Sequence, residues 1–288
     1  MTLAPMLLYH YTNAHGLYGI LTEKKIRASS YRFMNDAQEL EHAFSLITEA
    51  YPPIEHKGLS PPPVEKLLSE FAETIRRKKW DYDYDCLFVS SFSQYGDQLS
   101  QWRGYAGPHS GYSLGFRTDG LGALKKETRL EKCEYDKDRQ IEIIKNVLSG
   151  HLPGIMEAFK LSAPGSSQNE KAKSIEVFFD RIDQAVADMI DSASRLKHYS
   201  FKEEQEWRLI VGPLEPEDER ILYHPYERVL IPYVEIEFYP DELPIEHIFV
   251  GPRPHQQRTA GSLRQMLNKW GYHQVEIDLS HTPFRNWQ

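Results

Sequence analysis

The chain has only two cysteines in 288 residues, Cys86 and Cys133, too few for a disulfide framework and without the spacing of a zinc site. Each lies in an apolar stretch and is expected to be a buried thiol. Positive charge is also in short supply: 34 Lys and Arg stand against 42 Asp and Glu, a net charge of −8 with a pI of about 5.9. That excludes a protein that coats a nucleic acid through a basic surface, but not an enzyme that touches one locally. No stretch approaches the roughly 18 apolar residues of a membrane span. The first nine residues lack the basic region of a signal peptide, so a soluble, cytoplasmic protein is expected. There is no P-loop, no Gly-x-Gly-x-x-Gly and no His-Glu-x-x-His, and neither a P-loop NTPase, a Rossmann dehydrogenase nor a serine hydrolase is expected. No internal repeat or low-complexity tract is present.

What the chain does have is apolar and aromatic material for a core: 40% hydrophobic residues, with 17 Tyr and 5 Trp. Leu7–Thr12 reads as a strand, and Asn13 as the cap of a helix over 14–24 with Leu17, Ile20 and Leu21 on one face. Ile26–Ser29 is a short extended piece. Asn35-Asp36 opens a second helix with Leu40, Ala43, Phe44 and Ile47 at core spacing. Prolines at 52–53 and 61–63 bracket a loop, and a charged helix over 64–79 follows. Cys86–Phe92 is a buried strand, and Asp97–Tyr105 a short helix. Gly111–Phe116 is a strand whose glycines imply close backbone approach or a bend. A strand over Leu130–Tyr135 precedes helices over 137–160 and 168–197, which are separated by a break at 162–167. Strands near 206–211, 229–237 and 246–250, a helix over 255–269 and a strand over 274–279 complete the chain. Strands cluster, helices intervene and strands return, which is the pattern of an α+β fold. A single domain over 1–288 with a helical insertion at 137–198 is expected.

Four groups of residues carry candidate chemistry. In Tyr9-His10-Tyr11-Thr12, strand alternation sends the tyrosines to one face and His10 with Thr12 to the other, where an imidazole can donate to a ribose hydroxyl. The alternative is a strand-end histidine satisfied by backbone. Ser90-Ser91-Phe92-Ser93 ends a buried strand. Trp102 and Tyr105, three apart on the next helix, share a face that can stack a planar ring; core packing and helix capping are the alternative. In Glu204-Gln205-Glu206, an extended chain turns both carboxylates to one side, where one can steady an oxocarbenium ion. The alternative is an acidic turn with Glu206 paired to Arg208. Asn35-Asp36 with Glu39 reads first as a helix cap with an acidic first turn.

In order, these pieces resemble a bacterial family known as domain of unknown function 2971. The resemblance rests on Leu8–Thr12, Phe33-Met34-Asn35-Asp36 with Glu39, Ser91-Phe92-Ser93, Trp102 with Tyr105, and Gly111–Phe116. It continues through Glu204-x-Glu206-Trp207-Arg208, Val250-Gly251-Pro252 and Ser280-x-x-Pro283-x-Arg285. The opening, with its helix and the extended Ile26–Ser29, is also similar to the start of ADP-ribosyltransferase-fold proteins of the histidine–tyrosine–glutamate class. That resemblance implies a split, mostly antiparallel sheet with flanking helices. It also implies an NAD-dependent ADP-ribosyltransferase or NAD-cleaving enzyme with NAD as substrate, of the kind found among toxins and phage-defence effectors. Carried over, His10 contacts the NAD ribose, Trp102 or Tyr105 stacks nicotinamide, and Glu206, with Glu204 upstream, orients the ribose. Tyr11, Thr12, Ser91 and Ser93 line the cofactor site, and no metal is required. The acceptor is a protein, a nucleic acid or water, and the helical insertion is a surface for a partner protein. Tyr11 stands where a glycine often follows the histidine, and the insertion is long for this fold. Two other readings remain: a non-catalytic nucleotide- or partner-binding module, and a metal-dependent nuclease using Asp36, Glu39 and Glu206.

Overall fold

The computed structural model describes residues 6–34, 38–52, 64–78, 87–105, 111–122, 127–161, 163, 165–226, 228–238 and 243–283. In chain order, β1 (Leu7–Thr12), α1 (Ala14–Glu23) and β2 (Lys25–Ser30) precede two helices, α2 (Gln38–Ala50) and α3 (Val64–Lys78). Then come β3 (Phe88–Ser93), α4 (Leu99–Tyr105), β4 (Tyr112–Arg117), α5 (Thr118–Gly122) and β5 (Thr128–Lys132). Helices α6 (Lys137–Gly150), α7 (Leu152–Leu161) and α8 (Gln168–Ala193) intervene before β6 (Glu206–Val211). The chain finishes with β7 (Leu222–Tyr226), β8 (Val229–Glu237), β9 (Ile245–Val250), α9 (Gln256–Lys269) and β10 (Glu276–Leu279). The described residues thus form a mixed fold of α-helices and a mostly antiparallel open sheet. They divide into two compact units, residues 1–33, 85–133 and 202–288 in one and residues 34–84 and 134–201 in the other.

The first unit holds all ten strands. One branch runs β10-β9-β4-β1, a second runs β7-β8-β2, and a third is β5-β6; all three meet at β3. Every pair is antiparallel except β9 with β10, which are joined by α9 as a parallel crossover. One edge of β3 is taken entirely by β6, from Phe88↔Val211 to Ser93↔Glu206. The other edge is shared. β1 meets it only at Tyr9↔Ser93, and β2 only at Ser29↔Val89 and Ser30↔Phe88. Between these contacts β1 and β2 diverge, so the sheet is forked along Ser90–Phe92.

Alternation gives this sheet one apolar face. Leu8, Phe88, Phe92, Leu114, Phe116, Trp207, Leu209, Val234 and Ile248 lie on it and belong to one core cluster, which also takes Leu17, Ile20 and Leu21 of α1 and Leu263 and Leu267 of α9. Asn13 caps α1 as expected, its side chain accepting from the Gly16 N–H at 2.9 Å. The opposite face carries Tyr9, Tyr11, Ser91, Ser93, Glu206, Arg208, His247 and Phe249, by register with one another.

The second unit is helical. Helix α2 packs on α3, α6 and α8, and α7 pairs with α8. Phe44, Ile47, Phe71, Ile75, Ile144, Leu148, Ile182, Val186 and Met189 are buried in it. Helix α8 starts with a capping box between Ser167 and Glu170. The helix expected over 137–160 is two helices, because the chain turns at His151 and Pro153 is acceptable only in the first turn of α7. Gln140 pins this unit's crossing segment: its amide donates to the carbonyls of Glu134 and Lys197 at 2.6 and 2.8 Å. The segment 137–198 therefore lies in a unit that also contains α2 and α3, which come from before β3. Asn35 and Asp36 lie outside the described residues, as does Cys86; Cys133 is buried, as expected.

Candidate functional site

His10 sits at the fork. Its Nδ1 lies 2.9 Å from the Ser91 carbonyl oxygen, and its ring centroid is 5.6 Å from that of Phe92. A carbonyl only accepts, so Nδ1 carries the proton and Nε2 of the neutral ring is an acceptor. Burial pushes the His10 pKa below its ordinary value despite the Ser91 bond, which keeps the ring neutral near pH 7. With its one proton directed at the Ser91 carbonyl, the neutral ring offers an acceptor at Nε2 and no further donor.

Glu206 opens β6 in register with Ser93, and Ser93 is in register with Tyr9. The row Tyr9–Ser93–Glu206 crosses three strands on the polar face. His10 belongs to the next row, with Phe92 and Trp207, and leaves the other face. His10 and Glu206 therefore leave opposite faces of the sheet. Glu206 is buried in a bidentate pair with the fully buried Arg208, Nε to Oε1 at 2.9 Å and Nη2 to Oε2 at 3.1 Å. Glu204 does not share an extended chain with it. Residues Tyr199–Glu204 form a 3-10 turn, and Gln205 is left-handed at φ 43°, which breaks the alternation. This turn is stitched to the β3–α4 loop: Ser93 Oγ donates to the Glu204 carbonyl at 2.8 Å, and Gln98 Nε2 to that of Glu203 at 2.6 Å.

The aromatic candidates separate. Trp102 is 1% exposed, its ring meeting Tyr11 edge-on at 4.7 Å while Nε1 donates to Asp97 Oδ1 at 2.7 Å. It is core and has no free face for nicotinamide. Tyr105, at the end of α4, is 36% exposed and is the accessible member. Both lie within α4, three residues apart, but only Trp102 is buried. Tyr11 donates to the Tyr95 carbonyl at 2.7 Å and accepts from the Gln98 N–H at 3.1 Å, and burial raises its pKa. Tyr11 and Ser93 thus build the β3–α4 loop, whereas Thr12 and Ser91 are only partly buried.

Three features were not assigned from the sequence. Asp97 gathers the C-terminal motif: besides Trp102 it accepts from Ser280 Oγ at 2.5 Å, the His281 N–H at 2.8 Å and Thr282 Oγ1 at 2.9 Å. His247 Nε2 lies 3.0 Å from Asp278 Oδ2, and its ring stands edge-on to Phe249 at 4.4 Å. At the fork, the hydroxyls of Ser30 and Ser90 are buried without hydrogen-bond partners. Paired serines in Ser29-Ser30 and Ser90-Ser91, where β-branched residues are usual, were the available signal. Gly111-Tyr112-Ser113-Leu114-Gly115 also spells the Gly-x-Ser-x-Gly pattern. Ser113 lies within β4 and is fully buried, so it lacks the strand-to-helix turn on which a nucleophilic serine depends.

Residues 101–209 match the family described as "Protein of unknown function (DUF2971)". That segment runs from α4 to β6 and includes Trp102, Tyr105, Gly111–Phe116 and the Glu204–Arg208 motif, so it supports the family resemblance there. No curated protein and no solved structure matches the chain. Among the described residues, no group of three or more His, Cys, Asp or Glu side chains is arranged to hold a metal ion, and no helix is long and apolar enough to cross a membrane.

Proposed function

We propose that the sheet unit uses NAD, breaking the nicotinamide–ribose bond and passing ADP-ribose to an acceptor or to water. The observation that carries this reading is the forked antiparallel sheet with His10 at the fork and Glu206 two strands away, across β3. Adjacent strands lie about 4.8 Å apart, so the two backbones are within roughly 10 Å, the span of a ribose and its neighbours. His10 Nε2 accepts from a ribose hydroxyl. Glu206 is buried in an ion pair with Arg208, and a carboxylate held in place this way can face positive charge that develops beside it. Because the two side chains leave opposite faces, the ligand that touches both lies across the end of β3, beside Ser93. The C1″–N bond breaks with its electron pair going to neutral nicotinamide, Glu206 steadies the oxocarbenium ion, and the acceptor oxygen or nitrogen bonds to C1″ as it loses a proton. Tyr105 is the accessible ring for stacking.

The test is nicotinamide release from NAD by the purified chain, with and without cell lysate, beside Glu206→Gln. The amide keeps an acceptor for Arg208 but loses the charge. Turnover should fall at least about 100-fold, with the circular dichroism spectrum unchanged. An active Glu206→Gln protein would remove Glu206 from the mechanism. Absence of both NAD binding and release under every condition would end the reading. A second reading, a non-catalytic nucleotide-binding module, is favoured by the engagement of Glu206 with Arg208; binding without release is its signature.

A further inference from the structure

The fork has a floor as well as a mouth. Ser90 lies on the stretch of β3 that neither β1 nor β2 pairs with, and its side chain leaves the same face as Phe92. Ser30, the last residue of β2, is opposite Phe88 on that face, diagonally next to Ser90. The His10 ring, against Phe92, flanks the stretch from the other side. Ser30 and Ser90 are 0% and 3% exposed, and neither hydroxyl has a hydrogen-bond partner. A buried hydroxyl without a partner is a net cost to folding, and two of them beside a sheet fork call for an explanation other than stability. The Ser91 carbonyl that His10 engages faces the fork. The N–H of a strand residue leaves by the same edge as its C=O, so the Ser91 amide faces it too.

We propose that Ser30 and Ser90, with the Ser91 amide and His10 Nε2, form a subsite for a neutral polar group that both donates and accepts hydrogen bonds. A carboxamide or a sugar hydroxyl pair fits; a phosphate does not, because these groups carry no positive charge. The proposal rests on the NAD reading above and names which part of the ligand enters the fork. Both hydroxyls are closed to solvent in this structure, so entry requires the strands to part further. One residue pair holds β1 to β3 and two hold β2, so few ladder bonds oppose that parting.

The experiment compares the full chain with Ser90→Ala and Ser30→Ala. Without ligand, each variant should melt at the wild-type temperature or above; a melt lowered by more than about 4 °C overturns the proposal, because the hydroxyl then has a structural partner. Calorimetric titrations with NAD, nicotinamide and ADP-ribose follow. Ser90→Ala should weaken the probe that enters the fork about tenfold. Weakening of nicotinamide identifies a carboxamide subsite, and weakening confined to ADP-ribose identifies a sugar subsite. Unchanged binding of all three probes in both variants overturns the subsite and leaves the NAD reading standing. A wild-type chain that binds none of them overturns both. Variant-sensitive binding without nicotinamide release supports the subsite and overturns only the transfer chemistry.

Discussion

Asp97 shows how much one side chain settles. Its carboxylate receives the Trp102 indole, the Ser280 and Thr282 hydroxyls and the His281 amide, joining the start of α4 to the chain after β10. Burial works against the charge, but these bonds outweigh it and hold the Asp97 carboxyl below its ordinary range. The unfolded chain therefore binds the proton first as pH falls. The stabilisation is complete above the unfolded pKa of about 3.9 and is lost as pH drops through the lower folded value. Asp97→Asn turns an N–H₂ group towards donors and should cost about 2 kcal/mol at pH 7. It should also flatten the loss of stability below about pH 4. Urea melts of both proteins at pH 7 and through the acid range check this, and equal acid slopes would remove Asp97 as the cause. In the sequence Asp97 was only the first residue of an expected helix. Its role was not legible because its partners other than Trp102 are more than 180 residues away.

At the scale of elements, the polar face is shaped by glycines. A methyl group on Gly96 would stand 2.5 Å from both the Phe249 and Tyr9 rings, and one on Gly115 would stand 2.9 Å from the Tyr9 ring. The close approach expected for the Gly111–Phe116 strand is thus found at Gly115. Gly96→Ala should cost about 1–3 kcal/mol by forcing those rings apart. Thermal melts and the near-ultraviolet circular dichroism of the tyrosines check it, and an unchanged melting temperature would show that the rings can yield. Strand boundaries came largely from alternation, which serves well where one face is buried, as along β1 and β4. It failed for β7, where Pro225 interrupts a five-residue run. Pro225 pairs with Leu230 and Tyr223 with Pro232, so the bonded pairs of this hairpin are the ones between. The missing N–H of Pro225 then faces the open edge, where it discourages pairing with another chain.

At the scale of the molecule, the helical unit is assembled from two separate segments, residues 34–84 and 134–201. Periodicity located the second as an insertion but not its partners. Helix α2 buries Ala43, Phe44, Leu46 and Ile47, and it packs on α6 and α8 of the later segment. Deleting 137–198 as though it were self-contained should leave that face bare. The truncated chain should be recovered aggregated, with soluble yield and size-exclusion profile as the measure. A soluble, monodisperse product would show that α2 and α3 find cover without α6–α8.

The amino-acid sequence by itself determined the positions of the apolar strands, the Asn13 cap, the strand–helix–strand order and the residue types at the candidate site, because these follow from local periodicity and side-chain chemistry. Only the tertiary structure decided that Trp102 is core while Tyr105 is half-exposed, that Glu206 is buried with Arg208, that His10 Nδ1 donates to the Ser91 carbonyl, and that Ser30 and Ser90 are both buried beside a fork. Each of these depends on burial, and the fork depends on which strands share the two edges of β3. Neighbours along the chain do not set those pairings; long-range burial does.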